Sequence, residues 1–192
     1  EPMSIPGMNL TDNLDACVEK KLFTLNTGHC TTAFLGSMKG YTFIHEAICD
    51  PQIQKIVRSV MNQSGAALIR KFGIDPESHA EYVEKIISRF SNPHLNDLVS
   101  RVAHDPIRKL GSNLYFAYPM KMAMDLGLPY DKIALAAAAA LHYDNPEDPQ
   151  SVEIRKRVAG SGPAETFSSI SGIIDQKAAT LVAQAYETLK TL

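Results

Sequence analysis

Cysteine is scarce in this chain of 192 residues. The three present, Cys17, Cys30 and Cys49, lack metal-ligand spacing, and an odd number argues against a closed disulfide framework. Long hydrophobic runs are missing: no stretch approaches the roughly 20 apolar residues needed to cross a bilayer, and no secretory signal is present. A strong charge bias is missing too. The net charge is −2, so nothing points to nucleic acid or to an anionic membrane surface. These absences together fit a cytoplasmic protein. No stretch alternates as a strand, and no dinucleotide fingerprint occurs. The glycine-containing phrases Gly36 to Gly40 and Gly160-Ser-Gly162 lack the strand–turn–helix context of a phosphate-cradling loop. No H-E-x-x-H pair or other zinc pattern occurs, so no metal is expected. Position 1 is not methionine, and residues 1–9, with Pro2, Pro6 and Gly7, read as a lead-in from another domain. The chain is therefore read as a fragment of something longer.

What is present is helical pattern. A hydrophobic content of 45% suits a single domain with a sizeable core over residues 1–192. Thr11 or Asp12 can cap a helix running toward Gly36 or Gly40, with Leu14, Cys17, Val18, Leu22, Leu25, Phe34 and Leu35 at helical spacing. A short helix covers Phe43 to Cys49. Asp50-Pro51 opens a long one that ends at Gly73, and Asp75-Pro76-Glu77 opens the next. Asn92-Pro93 starts a unit with Leu95, Leu98, Val99 and Val102 on one face. Pro119 predicts a kink or break within Leu114 to Leu126. Leu128-Pro129 starts a helix through the alanine run Ala136 to Ala140, whose small side chains permit close packing. Two or three closing helices follow a loop at 144–149, broken at Gly160, Gly162 and Gly172. The expected class is all-α and multi-helical.

The stretch Lys21-Leu-Phe-Thr-Leu-Asn26-Thr-Gly-His29 carries the chemistry. At about 100° per residue the three polar side chains fall within an arc of roughly 140° and span roughly 12 Å. They offer an amine that can exchange a proton, an amide and an imidazole, which suits a reaction that makes or breaks an alkoxide. The same spacing also fits a solvated lysine, a mid-helix amide and a hydrogen-bonded core histidine. A second cluster, Arg101, His104, Arg108 and Lys109, puts its first three members at i, i+3 and i+7. They share one helical face unless Asp105-Pro106 redirects the chain. Guanidinium forks suit a phosphate or a row of hydroxyls; a solvated cationic surface fits as well. His45, His79 and His94 read as surface or capping residues, and His142 as core or cleft. Met120, Met122 and Met124 read as core filler.

The signature from Lys21 to His29, followed by Thr32-Ala-Phe-Leu-Gly36, resembles that of the polyol-specific long-chain dehydrogenases and reductases. Within that family it is most similar to the branch acting on mannitol 1-phosphate. Ile5-Pro-Gly-Met8 and Leu10-Thr-Asp-Asn-Leu14 match the lead-in, and the likeness continues through Arg101 to Leu110, Gly127-Leu-Pro129 and Asp148-Pro149. The resemblance implies a helical C-terminal substrate domain of the 6-phosphogluconate-dehydrogenase-like type. It also implies an N-terminal Rossmann domain, absent from this chain, as partner and as the main holder of NAD. Lys21 becomes the general base, and the acid in reverse. Its amine must then be neutral part of the time, which burial and cationic neighbours promote. Asn26 and His29 hold the reacting oxygen. Arg101, His104 and Lys109 become part of the substrate wall, with Arg108 beside them. The small-molecule partner is a sugar or polyol phosphate. One departure stands out: relatives in that branch follow Arg-Lys-Leu with an Asp-Arg pair, where this chain has Leu114 and Tyr115. Two other expectations stay open. One is a sister enzyme acting on mannitol itself or a hexuronate, and the other a non-catalytic helical interaction module.

Overall fold

The computed structural model describes residue 11 and residues 13–192. The expected lead-in at 1–9 and the Asp12 alternative for the first cap lie outside these. Among the described residues the architecture is all helical. The helices are α1 (Leu14–Lys20), α2 (Thr27–Met38), α3 (Ile44–Cys49), α4 (Pro51–Phe72), α5 (Pro76–Phe90), α6 (Val99–Ala103), α7 (Pro106–Leu110), α8 (Ala117–Asp125), α9 (Asp131–His142), α10 (Pro149–Ser171) and α11 (Gln176–Leu189). One isolated antiparallel bridge, Phe43 to Leu98, is the only strand-like pairing among them.

Local chemistry starts these helices. The Asp50 carboxylate accepts from the backbone N–H groups of Gln52 and Ile53 at 2.8 and 3.1 Å, with Pro51 in the first turn. Asp75 accepts from Ser78 N–H at 2.7 Å, and Asp148 from Gln150 N–H at 2.9 Å. Each such cap is worth about 1 kcal/mol. Gly73 ends α4 at φ 65°, a left-handed conformation that glycine adopts without a Cβ clash. The first cap is Asn13, whose side chain accepts from Ala16 N–H at 3.0 Å, rather than Thr11.

The core is built around α2 and α9. From Thr27 to Gly36 every α2 residue except His29 is buried. Its threonines do not oppose burial, because Thr31 and Thr32 return their hydroxyls to the carbonyls of Thr27 and Gly28 at 2.7 and 2.8 Å. The alanines at 136–140 are fully buried, and α9 packs on α11, α2 and α4. Phe34 sits between Phe116 and Tyr143, with ring centroids 6.2 and 5.7 Å away. Met120 and Met122 are buried, and Met124 packs partly against them.

Four expectations need correction. Pro119 is the third residue of α8, where the N–H it lacks has no intrahelical acceptor, so it makes no kink. The helix holding the alanine run begins at Asp131, two residues past Pro129. In α10 only Gly162 breaks the helix, at φ 79° and ψ 168°; Gly160 lies within it. Leu95 and Leu98 are exposed, because Pro93–Leu95 forms a 3-10 turn and Asn96 then turns left-handed, leaving only Val99 and Val102 to face the core.

Candidate functional site

The signature stretch is not a uniform α-helix. Between α1 and α2 the chain widens into a π-helical turn, Lys21–Asn26, and then continues without a break. A π-turn bonds residue i to i+5 and so stacks Asn26 close over Lys21, where an α-helix would set them about 140° apart. Single π-turns within α-helices recur at functional sites. The turn is held from both sides. The Thr27 hydroxyl donates to the carbonyl of Tyr115 at 2.7 Å, and the Thr24 hydroxyl meets His79 Nε2 at 3.1 Å.

Asn26, His29, Arg101, Arg108 and Lys109 line one cavity of about 190 Å³, with Cys30, Val102 and Tyr115. An adjoining cavity of about 450 Å³ shares His29 and Arg101 and adds Leu25, Arg89, Phe90, Leu95 and Asp97. His29 and Arg101 therefore form the partition between two parts of one cleft. Lys21 is exposed and does not line either part. The burial expected to favour its neutral form is not supplied by the described residues.

His104 also lies outside the cavity. Pro106 does redirect the chain: α6 ends at Ala103, Asp105 is left-handed at φ 60°, and α7 starts afresh at Pro106. The expected common face of Arg101, His104 and Arg108 is thereby broken. The His104 ring is half exposed and turned toward Asp105, Nδ1 to Oδ1 3.2 Å, while its carbonyl accepts from the Lys109 ammonium. Lys109 is the one member that is buried, at 5% exposure. Burial lowers its pKa first of all, with Arg108 acting the same way against the raising influence of Cys30, Asp105 and Asp148. Burial also pushes the Cys30 thiol up to about 12, so it is a neutral wall rather than a nucleophile.

The residue that sequence reasoning missed is Asp97. Its Oδ2 lies 2.8 Å from His29 Nε2, and its Oδ1 accepts from the Arg101 guanidinium. The contact with His29 is close but poorly aligned, since Nε2 lacks a hydrogen bond of good geometry. We read it as a charge contact. Burial lowers the His29 pKa, and Asp97 opposes that shift without cancelling it. The ring also stacks on Phe90, centroids 4.7 Å apart. The Asp97 backbone is fixed in turn, its carbonyl accepting from Ile44 N–H at 2.8 Å beside the Phe43–Leu98 bridge. The available signal was an acid four residues before Arg101, a spacing that lets the two side chains meet.

His104, Asp105 and Asp148 bring potential ligand atoms within 4.8 Å of one another. Asp148, fully buried, already accepts from Asp105, Gln150 and Ser151 backbone N–H groups. These bonds tie the start of α7 to the start of α10. Among the other histidines, His79 is buried rather than superficial, and His142 stacks on Tyr186 with Nε2 2.8 Å from the Tyr186 carbonyl.

The same helical arrangement occurs in solved polyol dehydrogenases. Pseudomonas fluorescens mannitol 2-dehydrogenase, solved as a ternary complex with NAD and D-mannitol, matches with a TM-score of 0.76 at 22% identity; the match covers 96% of this chain and 40% of that one. D-sorbitol dehydrogenase in substrate-free form matches with a TM-score of 0.76 at 17% identity, covering 98% of this chain and 42% of the other. At these identities the likeness speaks for the fold, and the chain spans well under half the length of either neighbour. The sequence itself matches the mannitol dehydrogenase C-terminal domain family over residues 13–190, from the cap of α1 to the end of α11. With the fold and the family pattern agreeing along that whole length, the chain belongs to the mannitol dehydrogenase C-terminal domain family.

Proposed function

We propose that this chain is the C-terminal substrate and catalytic domain of an NAD-dependent mannitol-1-phosphate 5-dehydrogenase, interconverting D-mannitol 1-phosphate and fructose 6-phosphate. The observation that carries this reading is the convergence of Arg101, Arg108 and Lys109 with Asn26 and His29 on one cavity of about 190 Å³. Two guanidiniums and an amine suit the oxygens of a phosphate monoester. Asn26 and His29 hold the reacting oxygen of the substrate and stabilise negative charge that develops on it. Lys21 takes the hydroxyl proton in oxidation and returns it in reduction. The described residues contain no strand–turn–helix phosphate cradle. The cofactor belongs to a preceding Rossmann domain, which also closes over the exposed Lys21.

A second reading is an enzyme for an unphosphorylated polyol or a hexuronate. Two observations favour it. Both solved neighbours are named for unphosphorylated polyols. Tyr115 stands on the cavity wall, at the position where the resemblance to the phosphate branch implies an arginine. The test is an NADH-absorbance assay of the intact protein with fructose 6-phosphate, fructose and fructuronate side by side. A clear preference for fructose 6-phosphate supports the first reading. Turnover confined to a free sugar transfers the assignment to the second, and no turnover on any of the three leaves a non-catalytic module.

A further inference from the structure

His79 is a buried histidine that the proposed chemistry does not use. It lies on α5, is 2% exposed, and its ring fills a slot opposite Gly65 of α4. A Cβ at position 65 would stand 2.0 Å from His79 Cε1 and 2.3 Å from Nε2, so the slot depends on glycine. Burying an imidazole is costly unless it finds a partner. The partner recorded here is the hydroxyl of Thr24, itself fully buried, in the middle of the π-turn. Thr24, like Thr27, sends its hydroxyl off its own helix. Thr31 and Thr32 return their hydroxyls to the preceding turn, whereas Thr24 directs its own across to α5.

The neighbours of Lys21 are tied to the same two helices. Glu19, two residues before it, pairs with Lys71 of α4 at 2.7 Å. Lys20 lies 4.4 Å over the ring of Tyr82 on α5. Thr24, three residues after, meets His79. These ties fix how the helix is rotated about its own axis. Lys21 is left exposed, with no ion pair among the described residues.

We propose that His79 is a positioning residue: acting through Thr24, it locks the Lys21–Asn26 π-turn that places Lys21 and Asn26 on the same open side of the helix. Across the turn itself the side-chain tie is a long one, the Thr27 hydroxyl donating to the Leu22 carbonyl at 3.3 Å. The Thr27 hydroxyl also donates to the Tyr115 carbonyl at the end of the turn, while at its middle the turn is held by the bond from α5. Without it the turn relaxes, and Lys21 rotates away from the substrate oxygen that Asn26 holds. His79 touches no substrate. This inference rests on the assignment of Lys21 as the base.

The test uses the intact dehydrogenase and five single variants. Thr24→Val is isosteric and removes the hydroxyl; His79→Phe fills the slot and removes the ring nitrogens. Each should lower kcat by about 10- to 100-fold, the usual consequence of misplacing a catalytic group, with KM within about twofold. Thr24→Ser and His79→Gln restore a hydrogen-bonding atom and should recover most of the loss. The double variant Thr24→Val/His79→Phe should be no slower than the worse single one, because both break one contact. Lys21→Ala, the fifth, separates two kinds of failure. If Lys21→Ala abolishes turnover while Thr24→Val and His79→Phe keep the wild-type kcat, the positioning role is overturned and the base assignment stands. If Lys21→Ala itself turns over normally, the base assignment falls. A lowered melting temperature with unchanged kcat in the folded protein would mark His79 as merely structural and overturn the proposal. Should His79→Phe not fold, Thr24→Val against Thr24→Ser decides alone.

Discussion

At the residue scale the site is a set of polar groups whose partners determine their use. Lys21 has no ion pair among the described residues and stands exposed, which suits a group awaiting a substrate and a covering domain. In the intact enzyme Lys21→Ala should cut turnover by about 10²- to 10⁴-fold, the usual contribution of a positioned acid–base group. Added primary amines should restore part of the rate. Near-normal turnover, measured by NADH absorbance, would remove Lys21 from the mechanism. Asp97 is the opposite case, since its carboxylate is shared between His29 and Arg101. Because Asp97 raises a His29 pKa that burial has lowered, Asp97→Asn should move the His29 midpoint further down in an NMR titration. An unchanged or higher midpoint would show that the carboxylate does not act on the ring. Asn26 and His29, singled out by their spacing and neighbours, do share a cavity wall, whereas Lys21 of the same phrase stands outside it. Asp97 was not legible, because its importance depends on a contact with His29, 68 positions away along the chain. His104 was over-read, since the left-handed Asp105 that turns it out of the cavity leaves only Pro106 as a trace in the sequence.

At the scale of elements the close approach of α4 and α5 is the feature most exposed to disruption. Gly65→Ala would force a methyl into the His79 ring. Overpacking of this kind costs about 1–3 kcal/mol, so the urea midpoint should fall by a matching amount. A wild-type midpoint would show that the ring moves aside freely. The starts of α4 and α5 were legible because an aspartate followed by proline acts within one turn, and the carboxylates do accept the expected N–H groups; Asp148-Pro149 starts α10 in the same way, where a loop was expected. The π-turn was not legible. Its six residues carry ordinary helical pattern, and what holds it comes from α5 and from the carbonyl of Tyr115. The exposure of Leu95 and Leu98 was hidden for a related reason: a left-handed Asn96 between them turns an apolar run away from the core.

At the scale of the whole molecule, several buried groups make stability depend on pH in one direction. Burial lowers the pKa of His29, His79 and His142 below 6.5 in the folded state. The unfolded chain therefore binds more protons as pH falls through the histidine range, and stability present above about 6.5 is lost as pH drops through the folded values. Asp50, held down to about 2 first by the Lys39 ammonium, adds a loss of the same sign between 3.8 and that value. The melting temperature should accordingly fall steadily from pH 7.5 to pH 5; a flat profile would contradict the burial of these rings. The central claim for the molecule is that its cationic cavity recognises a phosphorylated sugar. One measurement tests it most directly: kcat/KM of the intact wild-type enzyme and of Arg108→Ala, each with fructose 6-phosphate and with fructose. A charge-assisted contact is worth about 1.5–3 kcal/mol, so the variant should lose roughly 10- to 100-fold on fructose 6-phosphate and almost nothing on fructose. Equal losses on both sugars, or a wild type with no preference for the phosphorylated one, would contradict it.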